Sequence, residues 1–209
     1  DRRAPAAALI AGMAADVVGT QEGLSHQLRE LQGALAARGA TYGCRAARRE
    51  GAGYVGVARD LLCRWIPAGE HCAIFYNQSS VECLGHGTFA LSSTPERLGS
   101  KSWGTACPRI ATYAWFRVRE AGAGGAAGPA GACILHLNTH LDHRSQEARA
   151  LASRLIVSRV AELEAQGPPE GCGELAGSIF RTAGFRDACA ESSNDDLVPL
   201  CTFHAWQPE

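Results

Sequence analysis

Apolar residues along this chain change period several times, and each change marks an element. Residues 4–13 (APAAALIAGM) are Ala-rich with apolar positions at helical spacing, which predicts a helix. DVVG (16–19) reads as a short buried strand turning into a polar segment. Residues 25–38 (SHQLRELQGALAAR) return to helical spacing through Leu28, Leu31, Leu35 and Ala36, with Ser25 placed to cap the helix. The stretch 41–57 is rich in Gly and Arg, and its strand-like run is GYVGV; 58–68 reads as an inserted loop. The middle is β-rich. HCAIFYN (71–77) is a continuous apolar strand, SVECLGHGTFALS (80–92) follows a turn, and IATYAWFRVRE (110–120) is β-branched and aromatic. A Gly/Ala-rich segment, 121–132, reads as a flexible hairpin loop before the strand ACILHLNTHL (132–141). The clearest helix is 145–166, with Ala148, Leu151, Leu155, Ile156 and Val160 on one face and Pro168-Pro169 beyond its end. Shorter patterns close the chain at 178–188 and 200–206. Strands alternating with helices give an α/β class.

Composition narrows the function classes. The 209 residues suit a single domain, and a hydrophobic content of 46% is that of a globular protein. No apolar run approaches the ~18 residues needed to cross a bilayer. The first residues show neither an initiator Met nor a secretory leader. The expectation is an intracellular, cytoplasmic protein, monomeric, away from membranes, and a fragment of a longer chain. A net charge of -1 argues against a strong non-specific nucleic-acid binder but allows an enzyme that handles one phosphodiester at a time. The nine cysteines form no C-x-x-C pair, and several sit inside apolar runs. They predict a reducing compartment and no disulfide framework.

Four polar clusters stand at the ends of apolar strands, where loops gather groups over a rigid sheet. Gln21-Glu22 follows DVVG; a carboxylate there can hold a hard cation such as Mg²⁺, or be an ordinary solvated turn acid. Gly69-Glu70-His71 leads into CAIFY, where Glu70 can orient an imidazole or remain a surface acid. In SKSWGTACPRIAT (100–112), Arg109 enters a strand after Pro108 and can clamp a phosphate, or sit on a rim beside Trp103. In Asn138-Thr139-His140-Leu141-Asp142-His143-Arg144, His140 can serve as a general acid or hold a phosphate oxygen, although a lone strand-end His is more often structural.

Taken in order, DVVGTQEGLSHQL, GEHCAIFY, the long run from GTFALSS through SKSWGTACPRIAT to YAWFRV, LNTHLDHRSQEAR and AGFRDA resemble the endonuclease/exonuclease/phosphatase family. The SKSWGTACPRIAT and NTHLDH wording looks like a bacterial branch near the deadenylase and nocturnin relatives. The resemblance implies a four-layer α/β sandwich of two packed mixed sheets flanked by helices. It implies Glu22 as ligand of Mg²⁺, with Mn²⁺ as a substitute, and His140 as the active-site His oriented by Glu70. It implies Arg109, Asn138 and Arg144 as contacts to the substrate, a nucleic acid or other phosphate ester, with water as nucleophile.

The family pattern is interrupted in three places. The first strand with its Asn would lie upstream of Asp1, and the terminal Asp-His pair would lie beyond Glu209. The GDFN strand, source of the water-activating Asp, would follow Gln166, where the sequence instead runs GPPEGCGEL. The leading expectation is a Mg²⁺-dependent phosphodiester hydrolase, nuclease-like and 3′-exonucleolytic, of which this chain alone has little activity. A phosphomonoesterase of small sugar or inositol phosphates is the alternative within the class. A catalytically dead phosphate- or nucleotide-binding module is the alternative outside it.

Overall fold

The computed structural model describes residues 3–51, 69–119 and 131–172. All of them fall in one compact unit spanning residues 1–176. The expected GYVGV strand, the 58–68 loop, the 121–132 loop apart from its last two residues, and the patterns at 178–188 and 200–206 lie outside the described residues.

The described elements run α1 (Arg3–Met13), β1 (Val17–Gly23), α2 (Ser25–Ala36), β2 (Tyr42–Arg48), β3 (His71–Asn77), β4 (Val81–Ala90), β5 (Ile110–Val118), β6 (Cys133–Thr139) and α3 (Gln146–Gln166). They form two three-stranded sheets, β1-β3-β2 and β4-β5-β6, and each described strand pair is antiparallel. The α/β class and the pair of packed sheets are as the sequence implies.

The apolar run of β3 explains the layering. Ala73 and Phe75 join Ala7 and Ile10 of α1, Leu28 and Leu35 of α2, and Tyr42 in one cluster. Ile74 and Tyr76 face the other way and join Val81, Ala114 and Phe116 of the second sheet. The Tyr76 and Phe116 rings meet with centroids 5.2 Å apart. A strand buried on both faces has no polar alternation, so its sequence reads as continuous apolar residues. Along α3, Ala148, Ala152, Ile156 and Val160 form the buried stripe. The segment after the helix is tied to β5 by Arg117 Nη1, which donates to Gly171 O at 2.8 Å.

Three local expectations are corrected and one unassigned stretch, 42–48, is resolved. First, β1 does not stop at Gly19; it continues through Thr20, Gln21 and Glu22, because β3 supplies partners as far as His71, with a register shift between Thr20 and Gly23. Second, Ser25 is the first helical residue of α2, not its cap. Leu24 occupies the cap position, its N–H donating to Gln27 Oε1 at 3.0 Å, while Ser25 Oγ lies 3.4 Å from His71 Nε2. Third, the Arg-rich stretch 42–48 is the strand β2. Tyr42 anchors it in the helix-side core, and Arg45 lies 5.9 Å from the Tyr76 ring centroid. Tertiary packing outweighs its weak strand composition. Fourth, Cys133 and Cys172 form a disulfide, because β6 begins where the segment after α3 returns, with Cα atoms 5.8 Å apart. Cys44, Cys72, Cys83 and Cys107 are free.

One buried amide joins the two sheets. Asn138 of β6 is 5% exposed, and its Nδ2 donates to Thr20 O at 2.8 Å and Ala73 O at 3.0 Å. Its Oδ1 accepts from Gln21 Nε2 at 2.6 Å. Gly19 permits this approach, since a Cβ there would stand 2.9 Å from Asn138 Oδ1. Asn138, expected to contact substrate, has its amide bonded between the sheets in this structure. Asn138→Ala removes three hydrogen bonds between the sheets and is expected to cost about 3 kcal/mol in urea unfolding. A loss below about 1 kcal/mol would show that the sheets hold their relation without it.

Candidate active site

Both sheets direct polar residues to the same end of the sandwich. Glu22 stands near the end of β1, Glu70 precedes β3, and His140 follows β6. Antiparallel pairing of β1 with β3 brings the end of one strand beside the start of the other, so the two carboxylates meet. The Asn138 link sets β6 against them. The ligand atoms of Glu22, Glu70 and His140 all lie within 4.8 Å of one another. His140 Nε2 is 3.8 Å from Glu22 Oε1. The three residues share a cleft with Arg49, His71, Cys72, Pro108, Arg109 and Ile110.

Each member has a distinct setting. Glu22 has φ 60°, a left-handed backbone that non-Gly residues adopt at a cost of about 1–3 kcal/mol. Glu70 accepts from Arg49 Nη1 in a close ion pair, and its own C=O accepts from the Arg49 N–H at 3.1 Å. Burial, together with the Arg109 charge, pushes the His140 pKa below its ordinary 6.5, against the opposite pull of Glu22 and Glu70. At neutral pH the ring is therefore an uncharged imidazole with one N–H and one lone pair.

Arg109 lines the cleft but is 4% exposed. Its Nη2 is 3.0 Å from His143 Nδ1 and its Nε is 3.5 Å from Asp142 Oδ2. Its Nη2 is thus engaged with His143, while the buried Nε has no hydrogen-bond partner. Arg144 is exposed, and its backbone N–H donates to Asp142 Oδ1 at 2.9 Å.

Sequence reasoning assigned no role to Arg49, His71 or Asp142. Asp142 is 3% exposed and fixes the loop that carries His140. Its Oδ1 accepts from the N–H groups of Arg144 and Ser145, and its Oδ2 from Ala106 N at 3.0 Å. Ser145 Oγ in turn accepts from Ala148 N at 3.0 Å and caps α3. The signal was present in the spacing: an acid three residues before a capping Ser at a helix entry. No such local signal marks Arg49, whose partner lies across the sheet.

A cation fits the cluster. Two carboxylates and a neutral imidazole converge, and the Glu22 side chain is 67% exposed, which leaves room for water and phosphate oxygens. The arrangement is an acidic and imidazole cluster over the end of a two-sheet sandwich, backed by a buried guanidinium.

The comparisons with known proteins indicate the class of this fold. An endonuclease/exonuclease/phosphatase protein from Bacteroides vulgatus is 28% identical, with a TM-score of 0.60 over 78% of this chain and 52% of its own. A mannosyl-6-phosphatase from Bacteroides thetaiotaomicron is 27% identical, with a TM-score of 0.62 over 80% of this chain and 53% of its own. ANGEL2, a 2′,3′-cyclic phosphatase, is 15% identical with a TM-score of 0.50 over 75% of this chain and 36% of its own, a likeness of fold alone. No family model and no curated protein matches the sequence. The chain spans about half the length of the two bacterial structures. The resemblance to the endonuclease/exonuclease/phosphatase family holds in three dimensions, and the chain carries that family's phosphoesterase fold. Among the described residues, no helix is long and apolar enough to cross a membrane.

Asp142 also gives the site an acid limit. Burial disfavours its charge, yet the N–H groups of Ser145, Arg144 and Ala106 and the Arg109 guanidinium lower its pKa from 3.8 to about 2. A carboxyl depressed on folding contributes stability above its unfolded value, and the contribution disappears as pH falls through the folded value. Asp142→Asn is expected to cost about 2 kcal/mol at neutral pH. In melting experiments the gap between wild type and variant should close as pH falls from 3.8 toward 2. A gap that stays constant over that range would disprove the assignment.

Proposed function

We propose that this chain carries the cation site of a Mg²⁺-dependent phosphoester hydrolase whose substrate is a small sugar phosphate. The observation that carries the reading is the convergence of Glu22, Glu70 and His140 in one cleft. Glu22 and Glu70 supply hard oxygen ligands, and Mg²⁺ needs only one or two such carboxylates beside water and phosphate. When bound, the ion supplies charge neutralisation on the phosphate oxygens and on the leaving oxygen. Arg49 holds Glu70 facing the cleft. The neutral His140 offers its N–H to a phosphate oxygen or its lone pair to a proton. Burial, with the Arg109 charge behind it, lowers the pKa of that ring.

The sugar phosphate is favoured over a nucleic acid on two grounds. A bacterial structure 27% identical to this chain is a mannosyl-6-phosphatase. The net charge of -1 also suits a small anion better than a polyanionic strand. The sequence has no GDFN segment after Gln166, so turnover by the 209-residue chain is expected to be slow, and cation binding is the more direct readout.

Calorimetric titration with Mg²⁺ tests the reading. Wild-type protein should bind the ion, and Glu22→Gln should bind about tenfold or more weakly. Hydrolysis should be Mg²⁺-dependent and faster for a hexose 6-phosphate than for a short oligonucleotide. The reverse preference would transfer the substrate to nucleic acid. Phosphate binding with no turnover, even at high enzyme concentration, would indicate a binding module. Mg²⁺ affinity unchanged in Glu22→Gln would refute the cation site.

A further inference from the structure

We propose that His71 is a positioning residue for the cation site: its buried ring holds the turn of backbone on which Glu22 stands. The proposal rests on the metal-dependent reading above.

Glu22 sits where β1 loses register with β3, between Thr20 and Gly23, and its φ of 60° is left-handed. Such a conformation persists only where the surroundings determine it. Contacts of the Glu22 side chain do not determine it, since that side chain is 67% exposed and stands 3.8 Å from His140 Nε2. The next residue is held firmly. Gly23 O lies 2.9 Å from His71 Nδ1, and pairing with β3 resumes at Gly23 and His71. A carbonyl oxygen only accepts, so the proton resides on Nδ1. Nε2 then presents its lone pair to Ser25 Oγ at 3.4 Å, the first residue of α2. His71 is 8% exposed, so water does not readily replace either bond. Gly23 is confined from its other side as well, since a Cβ there would stand 2.6 Å from Leu28 Cδ2.

The geometry gives the Glu70-His71 dipeptide two tasks. Glu70 contributes a carboxylate to the cluster, and His71 fixes the backbone that presents the opposing carboxylate. Without the Nδ1–H bond, the Glu22 turn can relax toward an ordinary right-handed or extended backbone. That carries its carboxylate away from Glu70 and His140.

Three substitutions in the full chain separate this role from simple packing. His71→Asn places an amide N–H near the Nδ1 position, His71→Gln places it near Nε2, and His71→Phe keeps a ring without a donor. Mn²⁺ binding, followed by electron paramagnetic resonance of the free ion, is the readout, with circular dichroism as the check on folding. The expected result is near-wild-type affinity in His71→Asn and a loss of about tenfold or more in both His71→Gln and His71→Phe. Equal affinity in all three folded variants would overturn the positioning role, as would a loss in His71→Asn as large as in His71→Gln. Wild-type protein that binds no Mn²⁺ would overturn the cation site itself and the positioning role with it. Should the variants not fold, Mg²⁺ titration of the unmutated protein decides. The His71 Nδ1–H proton resonance should shift with the binding isotherm, and a resonance that stays in place overturns the proposal.

Discussion

Everything at the functional end depends on how closely the two sheets approach at Asn138. Its amide bonds to carbonyls of β1 and β3 and receives a bond from Gln21, so one side chain registers three strands from both sheets. The residues that flank this link are the ones that matter chemically. Glu22 follows Gln21, and His140 stands two positions after Asn138. A buried amide with its bonds satisfied is directional in a way that apolar contact is not, and leaving it half-satisfied is costly. The apolar cluster around Phe116 and Tyr76 holds the sheets together, while the amide fixes where they lie along each other.

A second layer of control is electrostatic. Two guanidinium groups stand behind the cleft, and each is matched by a carboxylate, Arg49 by Glu70 and Arg109 by Asp142. The Arg109–Asp142 pair is almost fully buried, a situation in which desolvation can exceed the attraction between the charges. Here three backbone N–H groups share the carboxylate, which compensates its burial, while Arg109 Nε remains without a hydrogen bond. The result is a pair of charge-matched contacts behind His140, with the exposed Glu22 carboxylate in front of it. Glu22 has no guanidinium partner in these pairings, so its charge is available to a cation.

Much of this was legible in the residues. Helices at 3–13, 25–36 and 146–166, and strands at 71–77, 81–90, 110–118 and 133–139, follow from periodicity because each faces a core over most of its length. The convergence of Glu22, Glu70 and His140 was legible only as the order of motifs, since no spacing within one element brings them together. What remained hidden were relations made across the sheet. β2 lies in a Gly- and Arg-rich stretch whose strand-like run reads as GYVGV, and it becomes a strand where β3 supplies its partner. Asn138 stands in a polar motif, and its close approach to β1 is permitted by Gly19 on another strand. The Cys133–Cys172 bridge joins two segments that meet only when α3 has packed.

The strand order bears on how the sandwich is expected to assemble. In β4-β5-β6, each strand pairs with its neighbour in the chain, whereas β1 reaches past β2 to pair with β3. Loop-closure entropy grows with the length of chain enclosed, and long-range pairings form late. The β1–β3 register, joining Gly23 to His71, encloses more chain than any pairing in the other sheet. A nascent or partly unfolded molecule can therefore hold its β-meander, with His140 at the end, before the two glutamates have met. Cation binding in such a protein would mark completed folding of the whole sandwich, so that competence and native structure arrive in the same step.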